Sequence, residues 1–225
     1  MNRINNIVLV HGFWADGSSY NQITAQLLAE GYAAIAVQNP LTSLADDVAA
    51  TKRILNRIEG QCILVGHSWG GTVITEAGND EKVSGLVYIA ALAPDAGESM
   101  VDLFSEYETP SQYFQEQEGF IWISQEGIEK ILANDLPAEK AALIYATQTP
   151  AAASLLTAKT TTTAWRNKPN WYIVSSQDQA VPPELQFNLA ERMGAKTVVL
   201  ASSHVPTISH ASAVLEVIRE ASNRG

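Results

Sequence analysis

Gly66-His67-Ser68-Trp69-Gly70 places one serine between two glycines. The apolar run Gln61-Cys62-Ile63-Leu64-Val65 precedes it, and the helix-like Thr72-Val73-Ile74-Thr75-Glu76-Ala77 follows. This is G-x-S-x-G in a strand–serine–helix context, the sequence form of a nucleophile elbow. Such a corner lifts the serine hydroxyl clear of a sheet. The glycines leave room where a Cβ would meet neighbouring backbone. The corner also aims the N-terminus of the next helix at the point where negative charge develops.

A serine hydroxyl is a weak nucleophile until a base takes its proton. The histidines are His11, His67, His204 and His210. His67 adjoins Ser68 and must point elsewhere. His11 ends the first strand and reads as a satisfied structural histidine. His210 precedes the last helix and reads as a surface or capping residue. His204, in A-S-S-H-V-P after the last strand, is the expected base. The base needs a carboxylate to fix its tautomer. Asp178 closes W-Y-I-V-S-S-Q-D. Its rival Asp95, in A-L-A-P-D-A-G-E, follows the preceding strand. The order Ser68, Asp178, His204 favours Asp178, which leaves Asp95 as a turn or capping residue. The oxyanion would be met by two backbone amides, those of Trp69 and of Phe13, where Gly12 lets the chain bend close.

These residues depend on regular elements around them. Strands are expected over Ile4–Val10, Tyr32–Val37, Gln61–Val65, Val83–Ala91, Trp171–Ser175 and Thr197–Ala201. Helices are expected over Ile23–Glu30, Leu44–Ile58, Gly71–Ala77, Pro183–Met193 and Ala211–Ala221. Strands alternating with helices imply an α/β fold: a mostly parallel sheet of about six strands with helices on both faces. Ligands in such sheets bind beyond the carboxyl ends of the strands, where Ser68, Asp178 and His204 fall. The alternation stops between residues 95 and 165, where aromatics are scattered among acids. The expected organisation is a core of residues 1–94 and 166–225 interrupted by the 95–165 insertion.

The chain has 225 residues, enough for one domain of generous size. Its formal charge of −10 works against nucleic acid and anionic membranes, which need a cationic footprint. Cys62 is the only cysteine, so an intrachain disulfide is impossible. There is no His/Cys cluster for a metal and no phosphate-binding glycine loop, so neither metal nor cofactor is expected. No segment reads as a signal peptide or a membrane span, so a cytoplasmic location is expected.

The segments V-L-V-H-G-F, L-A-D-D-V-A-A-T, L-V-G-H-S-W-G-G, Y-I-A-A-L-A-P-D-A-G-E, N-D-L-P-A-E-K-A, S-S-Q-D-Q-A-V-P-P-E-L and S-S-H-V-P together resemble the α/β-hydrolase superfamily. More narrowly they resemble the group of plant methylesterases, hydroxynitrile lyases and bacterial carboxylesterases that hydrolyse pyrethroids. The resemblance implies Ser68 as nucleophile, Asp178 as acid, His204 as base, and the Phe13 and Trp69 amides as oxyanion donors. Some hydrolases of this fold instead carry the acid at the place of Asp95. The resemblance also implies that residues 95–165 form a cap over the site. Trp14, Phe120, Trp122 and Val205 are the expected pocket residues, although the cap aromatics can equally pack a small core of their own. Hydroxynitrile lyases of this group place a lysine directly after the histidine. Val205 stands there, which fits an esterase, and Lys159 is the one lysine left as a candidate for a lyase role. The expected activity is cofactor-free hydrolysis of a small-molecule carboxylic ester through an acyl-enzyme. An acyl transferase or perhydrolase with the same triad is the enzyme alternative. A ligand-binding protein on the hydrolase scaffold is the non-enzyme alternative.

Overall fold

The computed structural model describes residues 3–223. The first half alternates β1 (Asn6–Val10), α1 (Asn21–Ala29), β2 (Ala33–Ala36), α2 (Leu44–Arg57), β3 (Cys62–His67), α3 (Trp69–Ala77) and β4 (Val83–Ile89). An insertion follows, with α4 (Met100–Leu103), β5 (Phe114–Gln117), β6 (Phe120–Ile123), α5 (Gln125–Gly127), α6 (Ala138–Thr147) and β7 (Ala151–Ala152). The chain then returns with β8 (Asn170–Ser175), α7 (Pro183–Met193), β9 (Lys196–Leu200), α8 (Pro206–Ser209) and α9 (Ala211–Ser222).

The main sheet has six strands in the order β2-β1-β3-β4-β8-β9. Each neighbouring pair is parallel. β4 pairs directly with β8, so everything between them is an excursion from the sheet. The excursion has its own antiparallel sheet, β5-β6-β7, which the sequence pattern did not predict. The inner strands β1, β3, β4 and β8 of the main sheet are mostly apolar runs because both faces of the sheet are covered there. On β1, Ile7 and Leu9 join Ile23 and Leu27 of α1 and Val214 and Ile218 of α9. Val8 and Val10 turn to the other face, with Val48 of α2, Val73 of α3 and Leu185 of α7.

Helix α2 is placed by its first turn. Ser43 caps it by accepting the Asp46 amide hydrogen at 3.1 Å. Asp46 and Asp47 follow, and Arg57 lies in the last turn, as the helix macrodipole favours. The two acids face different ways. Asp46 accepts the hydroxyls of Thr42 and Ser43 at the surface. Asp47 is fully buried. One of its oxygens accepts the Leu41 amide and the other the indole Nε1–H of Trp69, both at 2.8 Å. Burial pushes its carboxyl up to about 6, against the opposing pull of those two donors.

That elevated pKa predicts a pH dependence. The folded value, about 6, lies above the unfolded value of about 3.9. Between these values the folded state keeps the proton and the unfolded state has lost it. Stability from this group therefore falls as pH rises from about 4 to about 6 and is level above. Asp47→Asn cannot ionise. The unfolding free energy of the wild type minus that of Asp47→Asn should fall by up to about 3 kcal/mol across the window. Urea unfolding at a series of pH values measures this, and a difference that rises with pH refutes it.

Candidate active site

Ser68 stands between β3 and α3 with φ 54° and ψ −123°, a region that side chains avoid. Its amide donates to Ile89 O at 3.1 Å, and its carbonyl accepts the amides of Gly71 at 2.9 Å and Leu92 at 3.1 Å. Gly70 permits this corner, since a Cβ there would lie 2.2 Å from the backbone oxygen of Val10. Gly12 brings the loop after β1 onto the serine. A Cβ on it would lie 2.6 Å from Ser68 Cβ and 3.1 Å from Ser68 Oγ. The Phe13 amide follows directly. The Trp69 amide opens α3, in the turn whose N–H groups lack helical acceptors. The Phe13 and Trp69 rings stack at 5.0 Å, which ties the two amide-bearing segments together.

The loops after β8 and β9 meet at the same end of the sheet. His204 Nδ1 lies 2.6 Å from Asp178 Oδ2, and both residues are buried. The other Asp178 oxygen accepts the amides of Ala180 at 2.8 Å and Val181 at 3.0 Å. Gln186 Nε2–H, from α7, donates to Asp178 Oδ2 at 2.8 Å. A carboxylate held by this many donors is fixed in its direction. With Nδ1–H given to Asp178, Nε2 of His204 is left as the basic nitrogen.

The other histidines have structural work. His11 Nε2 accepts the Asn39 amide at 2.9 Å, so its Nδ1–H is the one that donates to Gly12 O at 2.9 Å. Burial lowers its pKa, which keeps it neutral. His67 Nε2–H donates to the carbonyl of His204 at 2.7 Å. Burial, then the neighbouring His204, pushes His67 down to about 3. His210 Nδ1 meets Ser209 Oγ at 2.8 Å. Asp95 is engaged elsewhere: Arg166 and Thr163 both donate to it, and the Arg166 pairing comes first in holding its carboxyl far below the usual carboxylate range. Lys159 is exposed beside Asp102, with 3.8 Å between the charges.

A cavity of about 450 Å³ opens beside these groups. Its wall includes Phe13, His67 and Val205, the sequence neighbours of Gly12, Ser68 and His204. Trp14, Leu132, Leu143, Ile144 and Ile208 make it apolar, and Asp16, Lys140 and Thr147 also border it. Trp14 and Val205 both line it. Phe120 and Trp122 do not. On β6 the side chains alternate, and Ile121 and Ile123 take the buried face. Phe120 and Trp122 border a separate shallow depression with Gln117, Glu118 and Pro150.

Several participants carried no sequence signal of their role. Gln186 and Lys140 lie within helices of ordinary composition. Asp47 and Asp135 sat in the segments L-A-D-D-V-A-A-T and N-D-L-P-A-E-K-A, without an assigned task. Asp135 accepts the Ser203 amide at 3.0 Å and its hydroxyl at 2.5 Å.

Comparison with known proteins agrees with this architecture. A family model described as the alpha/beta hydrolase family matches residues 7–217. An alpha/beta hydrolase, nvfD, of Aspergillus novofumigatus is 26% identical, over 96% of this chain and 95% of its own. The carbendazim hydrolyzing esterase of a Nocardioides species is 30% identical over 51% of this chain and 53% of its own. The crystal structure of a pyrethroid hydrolase from Sphingobium faniae superposes with a TM-score of 0.82 at 21% identity, over 98% of each chain.

The Gly70 contact can be tested by sign. Alanine at an ordinary helical glycine gains roughly 1 kcal/mol. At position 70 it must displace the end of β1, so Gly70→Ala should lose roughly 1–3 kcal/mol. Denaturant unfolding decides this, and a gain in stability would show that the elbow does not press on β1.

Proposed function

The chain belongs to the alpha/beta hydrolase family, and from that premise we propose that it hydrolyses carboxylic esters with Ser68 as nucleophile, His204 as base and Asp178 as the acid that orients it. The observation that carries this reading is the 2.6 Å contact of His204 Nδ1 with a buried, four-times hydrogen-bonded Asp178, on loops at the end of the sheet that presents Ser68. Ser68 Oγ attacks the ester carbonyl while His204 Nε2 takes its proton. The amides of Phe13 and Trp69 receive the developing oxyanion. Collapse expels the alcohol, which takes the proton from His204. Water activated by the same nitrogen then releases the acid and frees Ser68.

The insertion is read as a cap, since Leu132, Leu143 and Ile144 close one side of the cavity against Phe13, Trp14 and Val205. Its apolar wall suits an ester with one bulky apolar group. Val205 puts no cation beside His204, which supports an esterase over a cyanide-releasing lyase. The names of the carbendazim esterase and the pyrethroid hydrolase support the same class.

Turnover of p-nitrophenyl esters tests the assignment. Ser68→Ala should lower kcat by roughly 10⁴ to 10⁶ and abolish labelling by a serine-directed phosphonate. Asp178→Asn should lower kcat by roughly 10⁴, because an amide cannot hold the tautomer that leaves Nε2 basic. Asp95→Asn should leave kcat within about twofold and act on stability, as a surface substitution does. Near-wild-type turnover in Ser68→Ala would refute the mechanism, and a larger penalty at Asp95 than at Asp178 would move the acid.

A further inference from the structure

His204 is fixed at its ring by Asp178 and at its carbonyl by His67. Its flanking backbone is fixed from the insertion. Ser203, fully buried, gives both its amide and its hydroxyl hydrogen to the two oxygens of Asp135. Ser203 Oγ in turn accepts the Val205 amide at 3.3 Å. One carboxylate, on the chain between α5 and α6, thus reaches the residue before His204 directly and the residue after it through a single hydroxyl. The match is chemical as well as spatial. Ser203 presents two donors in a buried place, and leaving either unpaired is costly. Only a carboxylate offers two acceptors with no donor of its own. His210 faces the same carboxylate at 3.8 Å and lies outside this relay.

We infer that Asp135 is a positioning residue for the proposed reaction, acting through Ser203 to set the turn that carries His204. The inference rests on the esterase reading, in which His204 is the base. It makes the insertion part of the base's support as well as a wall of the pocket. A displacement of the base by about 1 Å is enough to cost about a hundredfold in rate, so loss of this brace should appear in kcat and hardly in KM.

The test compares Asp135→Ala, Asp135→Asn, Ser203→Ala and the Asp135→Ala/Ser203→Ala double variant. Rates are expressed per active site titrated with a serine-directed phosphonate, so unfolded protein does not count. Asp135→Ala should lower kcat per site by roughly 10–100-fold with KM within about twofold. Asp135→Asn, which keeps one acceptor, should recover part of the loss. The double variant should be no worse than the worse single variant, since both remove one relay. The downfield proton resonance of His204 Nδ1–H should shift in Asp135→Ala. Unchanged kcat per site, additive losses or an unmoved resonance would overturn the inference and leave Asp135 as a tether of the insertion. A wild type that neither turns over esters nor takes the phosphonate would sink the esterase reading instead, and the resonance would still decide the role of Asp135. If Asp135→Ala fails to fold, Ser203→Ala and Asp135→Asn give the same contrast.

Discussion

The structure depends on holding Ser68 where a serine backbone does not rest by itself. At φ 54° and ψ −123° the residue is strained by roughly 1–3 kcal/mol. Such a conformation persists only when its surroundings over-determine it. Here β4 takes the Ser68 amide through Ile89 O, and the Leu92 amide returns to the Ser68 carbonyl. On the other side Gly70 lies against the end of β1 so closely that no side chain fits between. The middle strands of the sheet therefore clamp the corner from both sides. Ala90, next to Ile89, also has positive φ, at 44°, so the clamp itself carries strain. The same geometry places the start of α3 and the Gly12 loop around the hydroxyl. The proposed nucleophile and oxyanion amides are consequences of one backbone arrangement.

Around that corner, carboxylates do much of the bracing, Asp178 and Asp47 buried and Asp135 partly exposed. Asp178, Asp135 and Asp47 are tied to His204, Ser203 and Trp69, groups that carry or support the proposed chemistry. They differ in their donors and in their burial. Asp178 accepts two amides, an amide side chain and the imidazole. Burial raises the Asp135 carboxyl, but the two donors of Ser203, with Ser209 and His210, reverse this and leave it below its ordinary value. Asp47 has two donors and deeper burial, and there burial wins. For Asp135 and Asp47 the balance of donors against burial sets the direction in which each carboxyl is moved.

The sheet and the candidate triad were legible because they depend on order and period. Apolar runs mark buried strands, and the residue types that follow each run name the chemistry. The helix Pro183–Met193 has the predicted bounds, and most other ends moved by one or two residues. The insertion was not legible. Its strands are short, and Trp122 and Phe120 sit on the less buried face of β6, at a separate depression. A one-residue phase decides that face, and an aromatic-rich stretch such as Phe120-Ile-Trp-Ile does not reveal it. Asp46 and Asp47 pose the same difficulty on a helix. Adjacent positions lie about 100° apart, so one acid accepts hydroxyls at the surface while the other is buried under Trp69. Both look alike in sequence.

The insertion meets the core at points that bear on the site. Trp14 Nε1–H donates to Ile121 O at 3.0 Å, which ties the loop carrying the Phe13 amide to β6. The Ala152 amide donates to Leu41 O at 2.8 Å, and the Leu41 amide in turn hangs on Asp47 beneath Trp69. Asp135 takes Ser203. These contacts reach the Phe13 segment, the support of Trp69, and the turn that carries His204. If the insertion is the cap proposed above, it is one bonded to the loops that carry the proposed reacting groups, so its packing and their alignment are mechanically one problem. The apolar wall formed by Leu132, Leu143 and Ile144 belongs to the same segment. On the proposed reading, the side chains that line the cavity and the contacts that hold the proposed catalytic groups are carried by one piece of chain, and repacking the pocket by substitution there would be felt in turnover as well as in binding.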